Sequence, residues 1–280
     1  MKSPYPVVLP GRQVQIFRHA VRKRFWVRRL LGQSPEYATY ATICYSLDKD
    51  DWHYGNDHEM LEKTGPAFSV DALMNARSKT KEALPTIAHG VQPGMLEEEA
   101  RRIAKGTLDR MGSQKGWHKI LVRFGTNTIK NFEDPSEREM RLLDGDIFFI
   151  DIGPVWGDIE GDGGETFVVG PNPDPDMMRC AQDVKQIFGV VRDQWMSTGM
   201  NGKELYDFAY KATADLGWVL NMELTGHRLA EFPHSAYYDG TLAAVSIRPS
   251  PNLWVLEVQI RHPTRLIGGF YEDLLLTTEA

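Results

Sequence analysis

Residues 146–170, DIFFIDIGPVWGDIEGDGGETFVVG, decide how the chain is read. Ile147, Phe148, Phe149 and Ile150 make the continuous apolar run expected of a strand buried on both faces, and Asp151 ends it. A carboxylate there is costly to bury unless a cation or hydrogen-bond donors compensate it. Gly153, Gly157, Gly161, Gly163 and Gly164 supply a turn, Asp158, Glu160, Asp162 and Glu165 make it acidic, and residues 165–169 read as a second strand. Asp151 and Asp162, returned to one place by such a hairpin, can hold a divalent metal. The same composition also fits a solvated acidic loop.

Three further segments carry the residue types of a two-metal site. Gly226 and His227 follow a helix-like segment, and His234 lies seven residues on, beyond Pro233. Glu257 sits in the strand-like run 254–260 and Glu272 in the run 270–277. Among inward-facing Leu, Val and Ile, a carboxylate is rarely left unpaired. Each glutamate alone also reads as a salt-bridged strand residue. Together, two Asp, one His and two Glu form an oxygen-rich set that suits Mn²⁺, Fe²⁺, Co²⁺ or Zn²⁺ and can hold two ions about 3.5 Å apart through bridging carboxylates.

That order of residues resembles the pita-bread metallopeptidases, which include methionine aminopeptidase, prolidase, aminopeptidase P and creatinase. The resemblance covers residues 68–280. It implies an α+β fold, a curved antiparallel sheet covered by helices, and a hydrolase that cleaves a peptide or amide C–N bond in a small peptide or amino-acid derivative. It implies two divalent ions, with Asp151 a chelator of one, Asp162 and Glu272 bridges, and His227 and Glu257 ligands of the other. A metal-bridging water would be the nucleophile, Glu257 would double as proton shuttle, and His234 would face the substrate. The departures bear on activity. Family hydrolases usually carry another histidine five residues after the Asn of a Gly-x-Asn run, and here Gly125, Thr126 and Asn127 lead to Phe132. Phenyl neither donates nor accepts a proton. His118, beside Trp117 at the start of the strand-like run 120–124, reads either as a substitute catalytic imidazole or as a structural residue. Arg228 follows the ligand His where the family has Gly, which places a long cation at the pocket or pairs it with a surface acid. Val258 stands where the family often has Pro.

With 280 residues, 42% hydrophobic and 25% charged, the composition is that of a globular protein of one or two domains. Cys44 and Cys180 make no disulfide framework or thiolate zinc site, which points to a reducing cytoplasm. No apolar run reaches a membrane span. Residues 1–35 carry Lys2, Arg12, Arg18, Arg22, Lys23, Arg24, Arg28 and Arg29 and no acid, so of the formal charge of −6 the remainder carries −14. With Phe17, Phe25, Trp26 and Leu30 interleaved, residues 12–31 read as a helix that docks on the acidic body or clasps a second copy, the clasp giving a homodimer. The acidic balance argues against nucleic acid or a membrane surface as partner. Residues 35–66 read as a linker or lid, in which His53, Asp57 and His58 match no metal template. The chain thus divides into a basic extension with its linker, 1–67, and a metal-binding catalytic domain, 68–280.

Helical periodicity predicts helices over 70–88, broken at Pro85, and over 96–111, ended by Gly112. Two more follow Pro175 and precede Gly217, and strands are expected at 120–124, 147–152, 166–169, 254–260 and 270–276. Two other functions fit the same residues: a metal-dependent lyase or hydrolase of a small carboxylate, favoured by Phe132 and Arg228, and a non-catalytic binding module.

Overall fold

In a computed structural model of the chain, residues 60–113, 115–233 and 238–277 are described, together with the backbone of three short strands near the N-terminus. The chain divides into two compact units, Met1–Tyr54 and Gly55–Ala280.

The first unit holds β1 (Pro6–Leu9), β2 (Arg12–Phe17) and β3 (Trp26–Arg29), a three-stranded antiparallel sheet with β2 central. The helix expected over 12–31 is therefore corrected to strands. Gln13, Val14, Gln15 and Ile16 alternate polar and apolar with a period of two, and Pro10-Gly11 is a turn dipeptide between Leu9 and Arg12, which pair. Residues 30–59, with His53, Asp57 and His58, lie outside the described residues.

Among the described residues the second unit has four α-helices: α1 (Val70–Gly90), α2 (Glu97–Met111), α3 (Pro175–Thr198) and α4 (Gly202–Asp215). Their ends follow local chemistry. Ser69 caps α1, Gly112 closes α2 at φ 94°, Asp174 and Pro175 open α3, and Asn201 with Glu204 forms a capping box on α4. The expected break at Pro85 does not occur. An interior proline costs about 3 kcal/mol, but Leu73, Leu84 and Ile87 on both sides of it are fully buried, and each contributes about 1.5–3 kcal/mol. Burial wins, and α1 runs through.

The main sheet has the order β10-β11-β12-β8-β5-β4, with every pairing antiparallel and β9 (Val219–Leu220) on β11. Its strands are β4 (Leu121–Phe124), β5 (Ile147–Ile152), β8 (Gly163–Val168), β10 (His227–Arg228), β11 (Trp254–Arg261) and β12 (Gly268–Leu274). Between β5 and β8 the chain inserts a small hairpin, β6 (Val155–Trp156) with β7 (Ile159–Glu160), where a plain turn is expected from the glycines. Helices cover one face in two pairs. Val122, Phe148 and Ile150 join the core of α1 and α2, whereas Leu256, Val258 and Tyr271 join that of α3 and α4. Successive strand residues point to opposite faces. Leu121, Phe149 and Phe270 therefore form a separate buried apolar cluster on the other face, and the parity that sends them there also sends Asp151, Glu257 and Glu272 to that face.

Candidate metal centre

Register puts the carboxylates in one row. Glu257 pairs with Glu272, Glu272 with Gly164, and Gly164 with Asp151, so a line across four strands carries three carboxylates and one gap. The gap has a steric cause. A Cβ on Gly164 would stand 2.4 Å from the Phe270 ring and 3.0 Å from Glu272 Oε1. Asp162, just before β8, and His227, at the start of β10, complete the cluster, which opens into a cleft of about 430 Å³ also lined by His118, Phe132 and Thr225.

All five expected ligands thus meet in one place. Asp162 is the hub: its Oδ1 lies 3.3 Å from His118 Nε2 and its Oδ2 3.0 Å from His227 Nε2. His118 Nε2 also lies 3.6 Å from Asp151 Oδ1. His118, left open between a structural and a site role, reaches the cleft. His234 lies outside the described residues. Phe132 lines the cleft and packs edge-on against His118, with ring centroids 5.7 Å apart.

Arg228 is not at the pocket, contrary to the expectation from its place beside His227. It points to the opposite face and is fully buried. Its guanidinium donates to the carbonyls of Leu253, Glu62 and Lys63 and lies over the Trp254 ring. Burial pulls its pKa down to about 10, opposed by Glu62 and Glu231, so it stays a cation near neutrality. The Glu62 carboxylate in turn accepts from Ser250 and the Trp254 indole.

The electrostatics are those of crowded buried acids. Burial pushes Asp151 up to about 7, against the pull of His118, and Glu257 and Glu272 rise through burial, with Asp162 raising both further. Asp162 is also raised by burial, but the two imidazoles outweigh that and hold it below the ordinary range. Burial depresses both histidines, yet the carboxylates win and lift His118 to about 9 and His227 to about 10. Asp162 Oδ2 and Glu272 Oε1 are buried and accept no hydrogen bond, although His227 Nε2 is close to the former. Buried carboxylate oxygens without donors are costly, and a cation satisfies them. The donor set therefore fits divalent metal, and Asp162 stands in two separate groups of potential ligands, one with His118 and Asp151, the other with His227 and Glu272.

A model of metallopeptidase family M24 matches residues 71–279, three quarters of the sequence and every residue of this cluster. The chain belongs to metallopeptidase family M24. Its fold is the pita-bread fold of that family, and solved members superpose on it. An X-Pro aminopeptidase from Thermotoga maritima matches with a TM-score of 0.63 at 16% identity, covering 80% of this chain and 65% of its own. The prolidase from Pyrococcus furiosus gives 0.58 at 18%, covering 79% and 67%. The methionine aminopeptidase from Thermotoga maritima gives 0.59 at 13%, covering 78% of this chain and 99% of its own. This M24 chain thus spans about two thirds of the first two and nearly the whole of the third. No curated protein sequence matches it. Among the described residues, no helix is long and apolar enough to cross a membrane.

Sequence reasoning missed the residues that support the cluster. Tyr206 of α4 brackets the Glu257 backbone, its hydroxyl donating to the Glu257 carbonyl at 2.8 Å and accepting from the Glu257 amide at 3.2 Å. The only signal was a tyrosine on the buried stripe of a helix. Gly226 N donates to Glu257 Oε2 at 2.7 Å. Gly226 has φ 67°, and a Cβ there would meet the Val255 carbonyl at 2.3 Å, so the backbone that presents His227 requires glycine.

Proposed function

We propose that this M24 protein is a dinuclear-metal aminopeptidase-like hydrolase that cleaves the C–N bond at the amino end of a small peptide or amino-acid amide. The observation that carries the reading is the charge balance of the cleft. Asp151, Asp162, Glu257 and Glu272 bring four carboxylates together beside two imidazoles, and two divalent ions would neutralise them; without ions the repulsion is offset only by protonation of the acids and of the imidazoles. Asp151 would chelate one ion, Asp162 and Glu272 would bridge, and His227 and Glu257 would hold the second, with Mn, Fe, Co or Zn suited to the set. When bound, such ions polarise a carbonyl and acidify water at the site.

The chain's own residues have separable tasks. Glu257, which accepts from Gly226 N and whose backbone is held by Tyr206, would take a proton from the attacking water and return it to the departing amine. Phe132 lines the cleft with a ring that cannot move a proton. His234 is proposed to stabilise charge developing on the scissile carbonyl oxygen. Among the described residues the cleft lining includes Glu133, Glu223 and Asp239 and no Lys or Arg, with Lys119 pairing Glu133 at 3.1 Å from just beyond it, so the lining stays acidic on balance. That charge suits the ammonium end of a peptide. It opposes a free carboxylate, and Arg228, whose cation had favoured a carboxylate substrate, is turned away. The reading places this chain in the cytoplasm as an enzyme on small peptides.

A metal assay followed by a screen of N-terminal dipeptides, Xaa-Pro peptides and small amides tests the proposal. Metal-dependent release of an N-terminal residue is expected. A metal-loaded protein that processes a small carboxylate and no peptide instead supports the second reading, a non-peptidase on the same site, which the missing imidazole at Phe132 favours.

A further inference from the structure

We propose that His118 is a sixth metal-binding side chain, so that each of the two ions has one imidazole and Asp162 bridges between them. The proposal rests on the dinuclear reading above and adds a ligand to it. Three independent observations carry it.

The first is a likeness between two histidines from opposite ends of the sheet. His227 donates Nδ1–H to the carbonyl of the next residue, Arg228, at 2.8 Å, and His118 donates Nδ1–H to the carbonyl of the next residue, Lys119, also at 2.8 Å. A backbone acceptor at Nδ1 fixes the tautomer whose Nε2 carries the free lone pair, the usual arrangement of a metal-ligating histidine. Both rings then present Nε2 to the same carboxylate, one at each oxygen. The device that holds a ligand at His227 is repeated at His118.

The second is spacing. Donor atoms about 2.0–2.2 Å from one ion are separated by roughly 3.0 Å along an octahedral edge and 3.4 Å along a tetrahedral one. His118 Nε2 stands 3.3 Å from Asp162 Oδ1 and 3.6 Å from Asp151 Oδ1. A ring that served only as an ion-pair partner would favour one carboxylate at about 2.8 Å; this one faces both at polyhedron-edge distance.

The third is the room made for the ring. A Cβ on Gly153 would stand 2.0 Å from His118 Cδ2 and 2.6 Å from Trp117 Nε1. Trp117 is held at 2.8 Å by the Gly161 carbonyl and meets the His118 ring edge-on. The glycine two residues past Asp151 thus admits the imidazole, and the tryptophan fixes its plane. A nitrogen donor added to the Asp151 side moves that ion from the hard oxygen set favoured by Mn²⁺ and Mg²⁺ toward Co²⁺ and Zn²⁺.

The experiment titrates metal-free wild type, His118→Ala, His118→Gln and Gly153→Ala with Zn²⁺ and Mn²⁺ by calorimetry, with circular dichroism as a check on folding. Expected are two ions per wild-type chain and a weakening of one site by about tenfold or more in every variant, larger for Zn²⁺ than for Mn²⁺. Visible absorption of the Co²⁺-loaded protein should change in intensity in the same variants. Should the variants fail to fold, ¹⁵N-histidine nuclear magnetic resonance of wild type titrated with two equivalents of Zn²⁺ decides: a metal-induced Nε2 shift in the His118 ring as well as in the His227 ring is expected, and a His118 signal that both equivalents leave unmoved overturns the proposal. Wild type that binds two ions while all variants match it in affinity and cobalt spectrum overturns the role of His118 alone. Wild type that binds no metal overturns this inference together with the dinuclear reading.

Discussion

Glu257 and Glu272 face each other directly across the β11–β12 ladder. Like charges at such a position destabilise a sheet, and burial and the neighbouring acids raise Glu272 well above the usual carboxylate range. A group whose folded pKa is raised holds its full contribution below its unfolded pKa and loses it as pH rises toward the folded one. Metal-free wild type should therefore lose stability between pH 5 and pH 8, and Glu272→Gln should lose less over the same interval. Chemical denaturation at both pH values in chelator measures this. With metal present the order should reverse, because Glu272→Gln removes the proposed bridging carboxylate.

Removal of the hub is the sharper test of binding. Asp162→Ala takes one oxygen from each side, and it should abolish retention of both ions through gel filtration. Activity should fall by at least about 10²-fold, as for loss of a group that positions charge stabilisation. The metal-free variant should still fold, because the helices and most of both cores lie on the opposite face of the sheet.

The strands and their carboxylates were legible because an acid in an apolar run is expensive: Asp151 closes four apolar residues, and Glu257 and Glu272 interrupt two others. The rest depends on direction in space. His118 reaches Asp162, 44 positions on, only because Gly153 lacks a side chain. Arg228 neighbours His227 in sequence yet lies on the other face, since alternate residues of even a two-residue strand point apart. The helix expected at 12–31 weighed the arginines above the two-residue alternation of Gln13 to Ile16. At Pro85, the buried apolar residues on both flanks overrode a local preference.

Arg228 ties residues 60–63 to the body, and its loss should be structural. Arg228→Met removes the guanidinium from which the Leu253, Glu62 and Lys63 carbonyls accept and should cost about 2–4 kcal/mol, read as a lower denaturation midpoint and faster proteolysis N-terminal to α1. Metal stoichiometry should stay at the wild-type value. A fall in metal content with unchanged stability would return this arginine to the cleft.

Cys180 is buried against Gly269, and burial pushes its thiol up to about 12. Its contribution is complete below pH 9 and is lost as pH rises toward 12, because only the unfolded chain can ionise it in that window. Cys180→Ala should cost about 1 kcal/mol at pH 7 through the small cavity and flatten the alkaline limb of the stability profile. In the native protein at pH 8, thiol reagents should leave Cys180 unmodified, which mass mapping after denaturing quench checks.

Equilibrium dialysis of chelator-stripped wild type and Asp162→Ala against Mn²⁺, Co²⁺ or Zn²⁺, with metal and protein quantified together, addresses the central claim most directly. Two ions per wild-type chain and none retained by Asp162→Ala is the expected result. Saturation of wild type at one ion or fewer, or two ions retained by Asp162→Ala, would contradict a dinuclear centre bridged by that carboxylate.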